Sequence, residues 1–237
     1  MSAAAARIPL LSGKGRRRAR AARIASRIAR RYTRGMSGNE ARGRIRSVCV
    51  FCGSSDGARQ EYADAAWDLG GEIARRGIKL VYGGGDVGLM GILARAVMSG
   101  GGEVKGVIPR RLYEIVEHAE LTELVVAADM HERKAKMYEC SDAFIAMPGG
   151  IGTLDELFEA WTWRQIGYHD KPVGILEIEG FFAPLLGFIE KMGKEGFLSE
   201  DMVRDLEVRG DPKSILDALE AKEPLLRLKR PERSRRK

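Results

Sequence analysis

"AFIAMPGGIGTLDE", residues 143–156, passes from an apolar tetrad through a proline and three glycines into acid-rich helix formers. Four consecutive apolar residues closed off by Pro148 and Gly149 have the length of a strand buried on both faces. Such a strand belongs to a parallel sheet, and the helix-forming run that follows supplies the crossover. The same alternation recurs along the chain. Strands are expected at 47–52, 78–82, 103–108, 123–126, 143–146 and 172–176, with a shorter one at 206–208. Helices are expected at 58–76, 87–99, 130–140, 154–166, 181–192 and 212–221. This order predicts an α/β fold: a single doubly wound, Rossmann-like domain over 46–222, its mostly parallel sheet flanked by helices. Residues 1–45 read as a basic N-terminal extension and 223–237 as a basic C-terminal tail.

The formal net charge of +7 is unevenly spread over the 237 residues. Residues 1–46 hold 14 Lys and Arg against one acid, and 227–237 hold seven against one, which leaves 19 basic and 31 acidic residues between them. An acidic body argues against nucleic acid as the principal partner. Cys49, Cys52 and Cys140 form no disulfide framework and fit a reduced, cytoplasmic protein. Cys49 and Cys52 have redox spacing, but a strand turns residues i and i+3 to opposite faces, so both read as core. His118, His131 and His169 show no ligand-like spacing, and no structural metal is expected. The Arg- and Ala-rich opening resembles a transit peptide in composition. The simpler reading is a disordered basic arm, or sequence upstream of a start at Met36. No run of about 18 apolar residues occurs, so no membrane span is expected.

In open parallel sheets, ligands gather beyond the carboxyl ends of the strands. That rule brings segments 53–56, 83–91, 127–134 and 147–153 into one crevice. Gly83-Gly-Gly-Asp-Val-Gly88 satisfies GxGxxG, but it follows the second strand, and the third ends Val107-Ile-Pro-Arg110 with no acid to hold a ribose. Its glycines read as turn and packing residues rather than as a nicotinamide site, with close approach to another nucleotide left open. Thr153 and Glu156 match a T-x-x-E capping box, which puts the helix start beside Leu154. A cap needs at most one permissive residue. Gly149, Gly150 and Gly152 instead expose successive N–H groups as an anion nest at a helix N-terminus. Asp155 and Glu156 would repel a phosphate placed over them, so the phosphate is expected over the glycines, with Glu156 turned toward a sugar. Arg133 and Lys134 give an independent hint. Asp129 as N-cap, with Glu132 three residues on, places both cations in a first helical turn, where the dipole disfavours positive charge by roughly 0.3–1 kcal/mol. Solvation, or pairing with Glu132 or Asp129, would answer that for an isolated pair. Beside an anion nest a ligand role is the better reading. Phe158, Trp161 and Trp163 form an aromatic stripe that reads as core or subunit interface.

Met130-His-Glu-Arg-Lys134 followed by Pro148-Gly-Gly-Ile-Gly-Thr-Leu-Asp-Glu156 resembles the paired signature of the Lonely Guy (LOG) family, whose members are often mislabelled lysine decarboxylases. Cys52-Gly-Ser-Ser55, Tyr82-Gly-Gly-Gly85, Gly88-Leu-Met-Gly91, Gly106-Val-Ile-Pro109 and Asp170-Lys-Pro-Val-Gly174 are similar in wording and order, so the resemblance spans roughly residues 46–195. It implies a Rossmann-like homodimer, or a larger assembly built from it. It also implies hydrolysis, without a cofactor, of the N-glycosidic bond of nucleoside 5′-monophosphates, characteristically cytokinin riboside monophosphates and AMP. By motif position, Arg133 and Glu156 are implied as the catalytic pair. Lys134, Gly149, Gly150, Ile151, Gly152, Thr153, Leu154 and Asp155 are implied as substrate contacts, with Thr162 and Glu114 at looser matches. Two other readings compete. A carrier of a nucleotide-like cofactor needs the nest but not the carboxylate, and a decarboxylase needs a lysine that forms a Schiff base with pyridoxal phosphate.

Overall fold

The computed structural model describes residues 45–115 and 121–223. The basic arm up to residue 44, the stretch 116–120 and the tail from 224 lie outside the described residues. Seven strands form one sheet: β1 (Ser47–Phe51), β2 (Lys79–Tyr82), β3 (Val104–Pro109), β4 (Glu123–Ala127), β5 (Ala143–Ala146), β6 (Val173–Leu176) and β7 (Glu207–Arg209). Their order is β4-β3-β2-β1-β5-β6-β7, and every pairing is parallel rather than merely most of them. The helices are α1 (Gln60–Arg75), α2 (Gly88–Ser99), α3 (Arg110–Tyr113), α4 (Met130–Glu139), α5 (Ile151–Gln165), α6 (Ala183–Lys194), α7 (Glu200–Asp205) and α8 (Pro212–Ala221).

The uninterrupted apolar strands β5 and β6 are buried at every residue, which only helices on both faces of a sheet can achieve. On one face, Leu69 and Ile73 of α1, Leu93 and Val97 of α2, and Leu216 of α8 pack with Val48, Val50 and Leu80. On the other, Met137 of α4, Leu157 and Trp161 of α5, and Leu186 of α6 pack with Cys49, Phe51, Phe144 and Ile175. Each such Leu or Ile contributes about 1.5–3 kcal/mol relative to an exposed position. Cys49 belongs to one core and Cys52 to the other, so the strand separates the two thiols as its period requires.

Two short helices escape the periodic pattern. α3 starts directly after Pro109, the last residue of β3, and α7 is capped by Ser199, whose hydroxyl accepts from the Met202 N–H at 3.3 Å. Neither is long enough to display a 3.6-residue repeat.

The chain builds β2, β3 and β4 outward from β1, then returns to lay β5 against the other side of β1, pairing Val48 with Ala143. That reversal opens the crevice between the carboxyl ends of β1 and β5. Three loops are tied together there. The Gly53 N–H donates to the Pro148 carbonyl at 3.0 Å, and the Met90 N–H donates to the Gly53 carbonyl at 3.3 Å. The GxGxxG loop serves this packing: Gly84 and Gly88 have left-handed φ of 82° and 56°, and Gly88 lies against the Ser54 and Ser55 backbone. Gly84 and Gly88 are thus accounted for as turn and packing residues.

Candidate active site

α4 begins where the Asp129 carboxylate accepts from the Glu132 N–H at 2.9 Å, as the spacing of those residues anticipates. Arg133 follows in the first turn and points inward. Its Nε donates to the Val107 carbonyl at 3.1 Å, and its Nη1 donates to Glu156 Oε1 at 2.6 Å. Both side chains are buried. Burial pushes the Glu156 carboxyl above the ordinary range, and the Arg133 guanidinium opposes that rise. A poised carboxylate of this kind is suited to proton transfer or to stabilising developing positive charge.

The capping-box expectation is overturned. α5 starts at Ile151, with Gly150 as an N-cap that offers no side chain. Thr153 therefore lies inside the first turn, buried against Gly149, where a Cβ on that glycine would stand 2.2 Å from Thr153 Oγ1. Glu156 is drawn away from the helix start by Arg133, because a charge-assisted bond outcompetes one to a neutral N–H. The uncapped start leaves first-turn amides of α5 without acceptors. A Cβ on Gly150 or Gly152 would meet nothing within 4 Å, and Ile151 is 88 % exposed, so the space above these amides is open. Helix dipole and free N–H groups together suit this helix start to an anion.

Lys134 does not pair with Glu132 or Asp129. Its Nζ lies 3.1 Å from Asp155 Oδ2 and 3.1 Å from Glu159 Oε2, while Glu132 pairs with Lys136 at 2.9 Å. The Tyr138 hydroxyl donates to the same Glu159 oxygen at 2.6 Å. Burial works against the Lys134 charge, but Glu159 and Asp155 outweigh it and hold the ammonium above its usual pKa. An amine fixed in the charged form is the opposite of what Schiff-base formation needs.

Two expected contacts stand apart from the Arg133–Glu156 pair. Thr162 is exposed on the outer face of α5, lining a groove of about 390 Å³ with Ile151, Leu154, Asp155, Phe158, Glu159 and Trp163. Glu114 is exposed at the C-terminal end of α3. The aromatic stripe divides: Trp161 is buried in the core, while Phe158 and Trp163 line the groove. Sequence reasoning missed the partners that hold Arg133, namely the Val107 carbonyl and the space above Gly83. A backbone carbonyl carries no sequence signal, and Gly83 stood inside a loop whose other glycines serve the turn. Among the described residues, no three His, Cys, Asp or Glu side chains come together to hold a metal, and no helix is long and apolar enough to cross a membrane.

Residues 90–219 match a family model described as "Possible lysine decarboxylase". A probable cytokinin riboside 5′-monophosphate phosphoribohydrolase of Oryza sativa subsp. japonica is 50% identical over 182 residues, which cover 76% of this chain and 73% of that protein. A cytokinin riboside 5′-monophosphate phosphoribohydrolase of Arabidopsis thaliana is 54% identical over 157 residues, 66% of this chain and 73% of that one. Among solved structures, the molybdenum cofactor binding protein of Rippkaea orientalis superposes with a TM-score of 0.56 at 21% identity, covering 76% of this chain and 96% of that one. At that identity the likeness speaks for the fold alone.

Proposed function

This chain belongs to the LOG family of cytokinin riboside 5′-monophosphate phosphoribohydrolases, and on that premise we propose that it hydrolyses cytokinin riboside 5′-monophosphates and AMP to free base and ribose 5-phosphate. The observation that carries the reading at the level of residues is the buried Arg133–Glu156 contact of 2.6 Å beside the open, uncapped start of α5. The 5′-phosphate sits over the amides of 150–153, where the helix dipole favours it and Asp155 and Glu156 do not intrude. As the C1′–N bond breaks, the ribose gains oxocarbenium character, and Glu156 offsets that charge and orients or deprotonates the attacking water. The water oxygen bonds to C1′, and the departing base takes up a proton. Arg133 opposes the rise that burial imposes on the Glu156 carboxyl and offers guanidinium donors to substrate oxygens. Lys134, held by Asp155 and Glu159, adds positive charge beside the phosphate site.

The working unit in this reading is a homodimer. The exposed Ile151 lines the groove with Phe158, Thr162 and Trp163, and the exposed Tyr168 ring lies 5.9 Å from Trp163, an apolar face suited to a second copy. The free thiols Cys49, Cys52 and Cys140 fit a cytoplasmic setting, and residues 46–222 serve as the one catalytic domain. The deciding assay incubates the protein with AMP or isopentenyladenosine 5′-monophosphate and follows free base by chromatography, with Glu156→Gln alongside. Base release by the wild type and not by the variant is the expected result. Tight nucleotide binding with no release from either substrate would replace the hydrolase with a carrier.

A further inference from the structure

We propose that Gly83 positions Arg133 for the reaction by leaving vacant the place its guanidinium occupies; this rests on the reading of Arg133 and Glu156 as the reacting pair. Gly83 follows the last residue of β2, at the carboxyl edge. A Cβ built on it would lie 2.6 Å from Arg133 Nη2 and 3.0 Å from Met90 Sδ. The other glycines of the loop answer to different constraints. Gly84 and Gly88 need their left-handed φ, and a Cβ on Gly85 would meet its nearest neighbour at an ordinary 3.4 Å. Gly83 has no left-handed φ, so alanine is permitted there by the backbone. What alanine meets is the tip of Arg133.

That tip has little freedom to yield. Nε is held by the Val107 carbonyl at 3.1 Å and Nη1 by Glu156 at 2.6 Å, and both belong to one rigid plane. Pushing Nη2 away from Gly83 tilts the plane and lengthens one or both bonds. The fold tolerates this, because side-chain ends and no backbone atoms are crowded. The reacting pair does not. A loosened guanidinium opposes the burial of Glu156 less, so the carboxyl rises further above its ordinary range. Since the ionised carboxylate is the working form, activity on the acid side retreats to higher pH.

The test compares full-length wild type, Gly83→Ala, Met90→Ala and the double variant, measuring kcat and KM for AMP from about pH 5 to 9 together with thermal melting. Gly83→Ala is expected to lower kcat up to roughly a hundredfold, the scale of a 1 Å misplacement, with a smaller change in KM. The acid limb of kcat/KM is expected to move to higher pH, the melting temperature to stay near wild type, and Met90→Ala to restore nothing. Wild-type kcat with an unmoved acid limb would overturn the proposal. So would rescue by Met90→Ala, which would make the thioether the crowded group, or a fall in melting temperature with the acid limb unmoved, which would mark a purely structural glycine. Arg133→Lys and Glu156→Gln separate the two levels. If both remain fully active, the catalytic reading fails; if both are crippled while Gly83→Ala behaves as wild type, only the role of Gly83 fails.

Discussion

Helix α5 takes part in two buried arginine–carboxylate pairs, and they are built to opposite ends. Near its C-terminus, Arg164 grips Asp205 through two parallel bonds, Nε to Oδ2 at 2.8 Å and Nη2 to Oδ1 at 2.9 Å. Arg164 also donates to the carbonyls of Asp170 and Glu223, the latter at 3.0 Å. The two side chains are 0% and 1% exposed. Every nitrogen of that guanidinium donates, which fastens α5, α7 and the end of the described chain together. Near the N-terminus of the same helix, Glu156 receives a single bond from Arg133, the pair stays about a tenth exposed, and Nη2 lies beside Gly83 with no hydrogen-bond partner among the described residues. One pair is closed and structural. The other keeps hydrogen-bonding capacity in reserve at the mouth of a crevice, which is what a group that meets substrate requires.

Mutating the two pairs should therefore separate activity from stability. Glu156→Gln, nearly isosteric, is expected to lower kcat by roughly 10²–10⁴-fold, the range for a general acid–base group, while thermal melting stays near wild type. Asp205→Ala strands the Arg164 charge in the core and is expected to cost about 3–5 kcal/mol in denaturant unfolding, with kcat per folded molecule unchanged. Equal losses of activity and stability in both variants would erase the distinction.

Glu177 sharpens the comparison, because it is a largely buried carboxylate with no arginine. Its Oε2 accepts from the Phe182 N–H at 2.8 Å, and burial pushes its pKa up to about 7 despite that bond and those to neighbouring amides. The folded protein thus keeps a proton that the unfolded chain, with a Glu pKa of about 4.3, has released. The stability this contributes is present in full below the unfolded value and is lost as pH rises through about 7. Denaturant midpoints should fall between acidic and mildly alkaline pH more steeply in wild type than in Glu177→Gln. Parallel profiles would show that Glu177 titrates normally. The smallest effect belongs to Asp155, whose pairing with Lys134 is 57% exposed on the carboxylate side. Asp155→Asn is expected to change stability by less than about 1 kcal/mol, measurable as a small shift in melting temperature.

Much of the fold was legible because its signals are local. Buried parallel strands advertise themselves as apolar runs such as 143–146, and the Asp129 cap is complete within four residues. The capping box at Thr153 and Glu156 shows where local reading fails. Its consensus is present, yet Glu156 answers to a cation 23 residues earlier in the chain. Lys134 likewise took partners on α5 rather than the acids beside it on α4. Charged side chains at the edge of a buried crevice pair by proximity in space, which sequence spacing does not encode.

The amino-acid sequence by itself determined the strand–helix alternation, the wholly apolar central strands and the glycine-rich loops that must follow them. Hydrophobic periodicity and the backbone demands of glycine and proline act over a few residues and need no distant partner. Only the tertiary structure decided that β5 returns to the side of β1 and where α5 begins. It also decided that Arg133 reaches Glu156 across the vacancy at Gly83. Those outcomes depend on which elements pack against one another, and so on contacts between residues far apart in the chain.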